Sequence, residues 1–228
     1  MEKLVYLLGD APPGTVPAGR DDLCDAILAA APALREAGAR DLSFQVANVD
    51  EPELGRLYQA NTTGLMDGQL SVWVDALDGR GAIEEIVSGL AARNAGYLVT
   101  ESILREYPRH DWAVGEPSPC IALFTAFPRP EALARETFYA RWHGSHGPLS
   151  LLLHPLLRYM RNAVFRPITE GAPRLDAIVS ESVLSCAVAA DVDQFYGGPE
   201  NQKLITKDLL SFVEMRDVST VIMREYLL

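Results

Sequence analysis

Leu4 to Leu8 is a continuous apolar run closed by Gly9-Asp10 and the Pro12-Pro13-Gly14 loop, the pattern of a buried strand. Asp21 or Asp22 then caps a helix whose apolar positions Leu23, Ile27 and Leu34 keep helical spacing, and Gly38 stops it. Leu42, Phe44 and Val46 alternate with Ser43 and Gln45, and Leu70, Val72 and Val74 alternate in the same way, predicting two half-buried strands. Ile83, Ile86, Val87 and Leu90 form a second helical stripe, and Tyr97 to Tyr107 reads as a longer strand. The order is β-α-β-β-α-β.

Pro108 to Pro119 is polar, with three prolines and a glycine, which is a linker composition. The same order then restarts. Ile121 to Phe124 reads as a strand, Pro128-Arg129-Pro130 as a turn, and Glu131 to about His146 as a helix ended by Gly144, Gly147 and Pro148. Leu157 to Phe165 and Leu175 to Leu184 follow as strands, Gln202 to Phe212 as a helical region and Val218 to Leu227 as the last strand.

The repetition extends to residues. Ile103-Leu104-Arg105-Glu106-Tyr107 matches Ile222-Met223-Arg224-Glu225-Tyr226, Leu42-Ser43-Phe44 corresponds to Leu157-Arg158-Tyr159, and Ala31-Pro32-Ala33-Leu34 falls opposite His146-Gly147-Pro148-Leu149. The shared offset is about 115 to 120 residues. The expected organisation is an α+β chain of two tandem units: a degenerate half over residues 1–107, a linker over 108–119, and a second half over 120–228. Such a unit puts both helices on one face of a four-stranded sheet, and two units can cover each other's bare faces.

Composition narrows the partners. Hydrophobic residues make up 48% of the chain, enough for a buried core, and no stretch approaches the ~20 apolar residues of a membrane span. A formal net charge of -11 argues against nucleic acid or an anionic membrane surface as partner. Cys24, Cys120 and Cys186 are odd in number and far apart, so they read as buried thiols rather than a disulfide framework or a metal pair. The start, MEKLVYLLGD, has too short an apolar run for a signal peptide, and a cytoplasmic protein is expected.

The densest cluster of chemistry-bearing residues is Phe138-Tyr139-Ala140-Arg141-Trp142-His143-Gly144-Ser145-His146-Gly147-Pro148-Leu149. Phe138, Trp142 and His146 are spaced four apart and share a core-facing side of the expected helix, while Tyr139, His143 and His146 are spaced to converge. An imidazole at a helix C-terminus is pushed toward its protonated form, whereas burial against Trp142 pushes the other way. The paired histidines lack a third ligand pattern, so no metal is expected, and Gly197-Gly198-Pro199 is a turn rather than a phosphate loop. His154-Pro155 lies in a loop-like stretch.

This segment, followed by Arg158-Tyr159-Met160-Arg161-Asn162, resembles the EthD-like family of the dimeric α/β-barrel superfamily. The likeness is clearest over residues 121–228. In the first half it departs at the decisive place, where Ala31 stands opposite His146 and nothing stands in for His143. The resemblance implies ferredoxin-like units forming an intrachain dimeric α/β-barrel with an apolar pocket between sheet and helices. It also implies a cofactor-independent enzyme acting on a small apolar carbonyl or aromatic compound, by a lyase, dehydratase, cyclase or isomerase step. His146, His143 and Tyr159 would then be the catalytic groups, with Asn162, Tyr139, Trp142 and Arg141 as substrate contacts. Two alternatives stand beside it: a non-catalytic small-molecule-binding or accessory protein, and a haem- or oxygen-dependent member of the same superfamily. The two halves would form a pseudo-dimer within one chain, with homodimerisation compatible but not required.

Overall fold

The computed structural model describes residues 1–47 and 49–228. The element order is β1 (Glu2–Gly9), α1 (Asp21–Glu36), β2 (Arg40–Val46), β3 (Gly68–Val74), α2 (Gly81–Ser88) and β4 (Arg93–Arg105) in the first half of the chain. The second half runs β5 (Ile121–Phe127), α3 (Arg135–Arg141), α4 (Gly147–Leu153), β6 (Arg158–Pro167), β7 (Ala177–Val183), α5 (Cys186–Ala190), α6 (Val192–Tyr196), α7 (Pro199–Leu209) and β8 (Ser219–Leu227). The strands close into one barrel in the order β1-β3-β2-β8-β5-β7-β6-β4, with antiparallel neighbours throughout.

Read by halves, the order is β4-β1-β3-β2 and then β8-β5-β7-β6, the same arrangement twice. Two seams join the halves. β4 pairs with β6 from Tyr97↔Pro167 to Arg105↔Tyr159, and β2 pairs with β8 from Ser43↔Leu227 to Val46↔Arg224. Each seam supplies backbone partners to a strand that would otherwise be a bare edge.

Period-two alternation assigns each strand residue to one of two sides. Val5, Leu7, Phe124, Ala126, Val164, Ile178, Val221 and Met223 point inward and fill the barrel. Leu4, Tyr6, Leu8, Phe44, Leu70 and Val72 face α1 and α2 in the first half. Ile121, Phe127, Tyr159, Ala177, Val179 and Ile222 face the helices of the second. A buried polar network at one end of the barrel fixes the register of β6. Arg158 bonds Glu225 at 2.5 Å, and Glu225 also takes hydrogen bonds from Gln45 at 3.1 Å and Tyr107 at 2.5 Å. With Arg158 held inward, its neighbour Tyr159 must point toward the helices.

Several boundaries differ from the sequence expectation. β4 begins at Arg93 rather than Tyr97, and β5 runs on to Phe127. The expected helix from Glu131 to His146 instead starts at Arg135 and does not end at His146. Residues Trp142–His146 form a π-helical turn, in which the Gly147 amide donates to the Trp142 carbonyl five residues back, and α4 continues from there. Pro148 is the second residue of α4, directly after the π turn. Gly147 packs closely: a Cβ there would lie 2.8 Å from the Arg161 guanidinium and 3.3 Å from Leu104, so those side chains would have to shift. Helices α5 and α6, absent from the sequence reading, are short and depend on side-chain caps. Ser185 accepts from the Val188 amide, and Asp191 from those of Asp193 and Gln194. Among the described residues no helix is long and apolar enough to cross a membrane.

Candidate active site

In the second half, the π turn, His154 and helices α5, α6 and α7 do not close fully on the sheet, leaving a cavity of about 260 Å³ between them and the outer face of β5–β8. Its floor is a row across four strands. Tyr159 pairs with Glu181, Glu181 with Leu123, and Leu123 with Ile222, and all four side chains line the space. Its walls are mainly apolar, including Trp142, Phe195, Leu209 and Val213, and none of the lining residues is a Lys or Arg.

His146 enters from the π-helical turn. Its Nδ1 lies 2.9 Å from Asp208 Oδ2 on α7, and its ring meets the edge of Phe212 at 5.1 Å between centroids. The other Asp208 oxygen accepts the Ser145 hydroxyl at 2.5 Å. Adjacent residues of the π turn therefore grip one carboxylate, which orients the imidazole and selects the tautomer with the proton on Nδ1. Nε2 has no hydrogen-bond partner among the described residues and is the ring nitrogen left for the cavity. Burial holds the His146 pKa below its ordinary 6.5, with Asp208 pulling in the opposite direction. The expected helix C-terminus does not exist at this position, so the competition is decided by burial against a carboxylate.

Two further groups on the cavity were outside the sequence reading of the site. Glu181 stands on the helix-facing side of β7 between Val179 and Val183, and no hydrogen bond or ion pair reaches its carboxyl from the described residues. Burial alone drives its pKa up to about 7. His154, at the end of α4, stacks on Phe195 at 4.2 Å, and neither of its ring nitrogens has a partner among the described residues. Burial, helped by His146, lowers its pKa to about 4. Tyr159 is 1% exposed, and burial together with the charge of Glu181 raises its pKa, keeping the phenol protonated.

The remaining sequence candidates divide. Trp142 lines the cavity, 1% exposed and packed edge-on to Phe127 at 5.7 Å. His143 does not reach the cavity. It meets Tyr139 at 5.1 Å and Trp142 at 4.5 Å, and burial beside Arg161 lowers its pKa to about 4. The expected convergence of Tyr139, His143 and His146 is thus half realised, because the π turn sends His146 to Asp208 instead. Tyr139 lies under Arg135, and Arg141 bonds the Ser211 carbonyl, so neither lines the cavity. Asn162 is on the barrel-interior side of β6, three positions and therefore one face away from Tyr159.

The first half also reaches this site. The segment after β2 crosses to β8, where Ala60 and Thr220 exchange backbone hydrogen bonds at 2.8 and 2.7 Å. Gln59 accepts from the Ile222 amide at 3.1 Å, and the same segment places Leu57 and Tyr58 on the cavity wall. The cavity has less than twice the ~150 Å³ that takes up a single benzene ring.

No protein-family model and no curated protein matches the chain. Solved structures do. A crystal structure of an anthrone oxidase-like protein superposes with TM-score 0.58 and 12% identity, covering 99% of this chain and 92% of that one. A mutant chlorite dismutase from Candidatus Nitrospira defluvii, in complex with cyanide, matches with TM-score 0.46 and 10% identity over 98% of this chain and 90% of its own. The first likeness shows the fold alone, a closed eight-stranded antiparallel barrel with helices packed outside it.

Proposed function

We propose that the chain is an enzyme whose own side chains perform proton transfer on a small uncharged carbonyl or aromatic compound. His146 is the base. The observation that carries this reading is the Asp208–His146 pair: a carboxylate fixes Nδ1–H at 2.9 Å and leaves the opposite nitrogen, neutral at pH 7, for the cavity. An imidazole with its pKa below 6.5 is unprotonated at neutral pH, so the base form is the resting form. Tyr159, protonated and buried in the floor, and Trp142 in the wall limit where a planar substrate can lie. The absence of Lys and Arg from the lining favours an uncharged compound over an anion. A volume of about 260 Å³ suits one or two fused rings.

A test substrate follows from these properties. 1-Tetralone is an uncharged two-ring ketone with an exchangeable C–H beside its carbonyl. The protein should accelerate deuterium uptake at that carbon in heavy water, read by proton NMR. His146→Ala should lose about 10²-fold or more of the acceleration. Full exchange in His146→Ala would remove the base assignment.

The EthD-like resemblance and a tandem duplication belong to the same proposal. The strand order β4-β1-β3-β2 repeated as β8-β5-β7-β6 supports two halves, 1–107 and 120–228, descended from one unit. In the first half the position opposite His146 is Ala31, 4% exposed and packed into the core between sheet and helices. The loss of chemistry there accompanies a filled core, and that half now serves as the other wall of the barrel and supplies Leu57 and Tyr58 to the cavity.

A further inference from the structure

A strand with one face packed under helices should carry hydrocarbon at every second position. β7 does so at Ala177, Val179 and Val183 and breaks the rule at Glu181. A carboxyl group at such a place normally has an Arg, a Lys or backbone amides to satisfy it, because an unpaired ionised acid away from water is strongly disfavoured. Glu181 has none among the described residues. What faces it is uncharged at neutral pH: Tyr159 beside it on β6, Tyr196 on α6, and His146 and His154 from the helical layer, with Asp208 engaged behind His146. Glu181 is half-buried, whereas His154 is buried and neither of its ring nitrogens has a partner among the described residues. Two polar groups without a protein partner among the described residues, on one apolar cavity, point to a ligand that supplies one.

We propose that Glu181 is the acid partner of His146, its carboxyl O–H donating to the oxygen of an uncharged one- or two-ring ketone or phenol bound in the cavity. The assignment rests on the reading of His146 as base. In the ketone case, the C–H bond beside the carbonyl breaks and its proton passes to Nε2 of His146. The electron pair forms the C=C bond, the carbonyl π pair moves onto oxygen, and oxygen takes the proton of Glu181. The products are an enol, an imidazolium and a carboxylate, and nothing is oxidised or reduced. The reverse steps restore both groups, and in heavy water they return deuterium to carbon. The raised pKa of Glu181 is consistent with this, since a carboxyl held up to about 7 still carries its proton at the pH where His146 has lost its own.

The test uses the full chain and 1-tetralone, with 1-naphthoate as the anionic counterpart of similar size. Isotope-edited infrared difference spectra report the carbonyl stretch of bound tetralone. The stretch should fall on binding to wild type and to His146→Ala, and stay unshifted in Glu181→Ala. Deuterium uptake should follow a bell-shaped pH profile, with an acid limb below 6.5 from His146 and an alkaline limb near 7 from Glu181. Glu181→Gln keeps an N–H donor, and should retain part of the rate while losing the alkaline limb. Glu181→Ala should lose about 10²-fold. A carbonyl stretch unshifted in wild type, or equally shifted in Glu181→Ala, overturns the proposal, as does failure of tetralone to bind or tighter binding of 1-naphthoate. A shifted stretch without exchange in wild type would instead remove the base role of His146 and leave the Glu181 contact standing.

Discussion

Replacing Glu181 by Gln should stabilise the protein at alkaline pH and change little in acid. The acid has an ordinary pKa of 4.5 and is held at about 7 in the folded chain because it lies in an apolar cavity without a counter-charge. Between those two values the folded state binds the proton and the unfolded state releases it. Stability contributed by this site therefore falls as pH rises from 4.5, and the full penalty is present above about 7. The gap of 2.5 pH units, at ~1.36 kcal/mol per unit, corresponds to about 3 kcal/mol. Gln is nearly isosteric and cannot ionise, so Glu181→Gln should match wild type at pH 4.5 and gain up to about 3 kcal/mol at pH 8.5. For a chain of this size that is roughly 6 to 12 °C in melting temperature. Urea unfolding of both proteins across this pH range measures it. A stability difference that stays constant from pH 4.5 to 8.5 would refute the reasoning, because it would place the carboxyl in contact with water or a cation.

The opposite sign is expected for His154, whose folded pKa of about 4 lies below the ordinary 6.5. Its share of stability is present at neutral pH and is lost as pH falls from 6.5 toward 4, and His154→Phe should abolish up to about 3 kcal/mol of that acid sensitivity in the same unfolding series. Asp208→Asn should leave the fold intact and cut tetralone exchange by about 10²-fold or more, because an amide no longer enforces the Nδ1–H tautomer; wild-type exchange in this variant would show that the pair is only structural. Residues 120–228 expressed alone would expose β6 and β8 without β4 and β2, and should dimerise or aggregate; a stable monomer on gel filtration would contradict the need for both seams.

The barrel was legible in the sequence because its strands alternate cleanly and its two halves share an order, as Leu42-Phe44-Val46 and Leu70-Val72-Val74 illustrate. His146, Trp142 and Tyr159 were legible as well, from a rare cluster of aromatic and imidazole side chains. Asp208 was not, since it meets His146 across 62 residues and nothing in the surrounding Thr206-Lys207-Asp208-Leu209 marks it. Glu181 carried a signal that went unused: an acid at a period-two apolar position, between Val179 and Val183. Helix α6, which brings Phe195 and Tyr196 to the cavity, was marked by Asp191 at its start and by Gly197 in a left-handed conformation at its end. Asn162 was misplaced because counting along a motif ignores the faces of a strand, and an odd step from Tyr159 turns the side chain inward. His143 follows the same logic on a helix, where the π turn shifts the faces by one residue, while Arg141 precedes that turn and reaches the Ser211 carbonyl instead.

Everything chemical depends on a neutral imidazole at His146 with its proton on Nδ1 and its lone pair toward the cavity. Nitrogen-15 NMR of the histidine rings, recorded across the pH range with and without 1-tetralone, observes that state directly. The expected result is an Nδ1–H tautomer at pH 7, a pKa below 6.5, and a shift of Nε2 when tetralone binds. An Nε2–H tautomer, or an imidazole that titrates as it would in water and ignores tetralone, would contradict it.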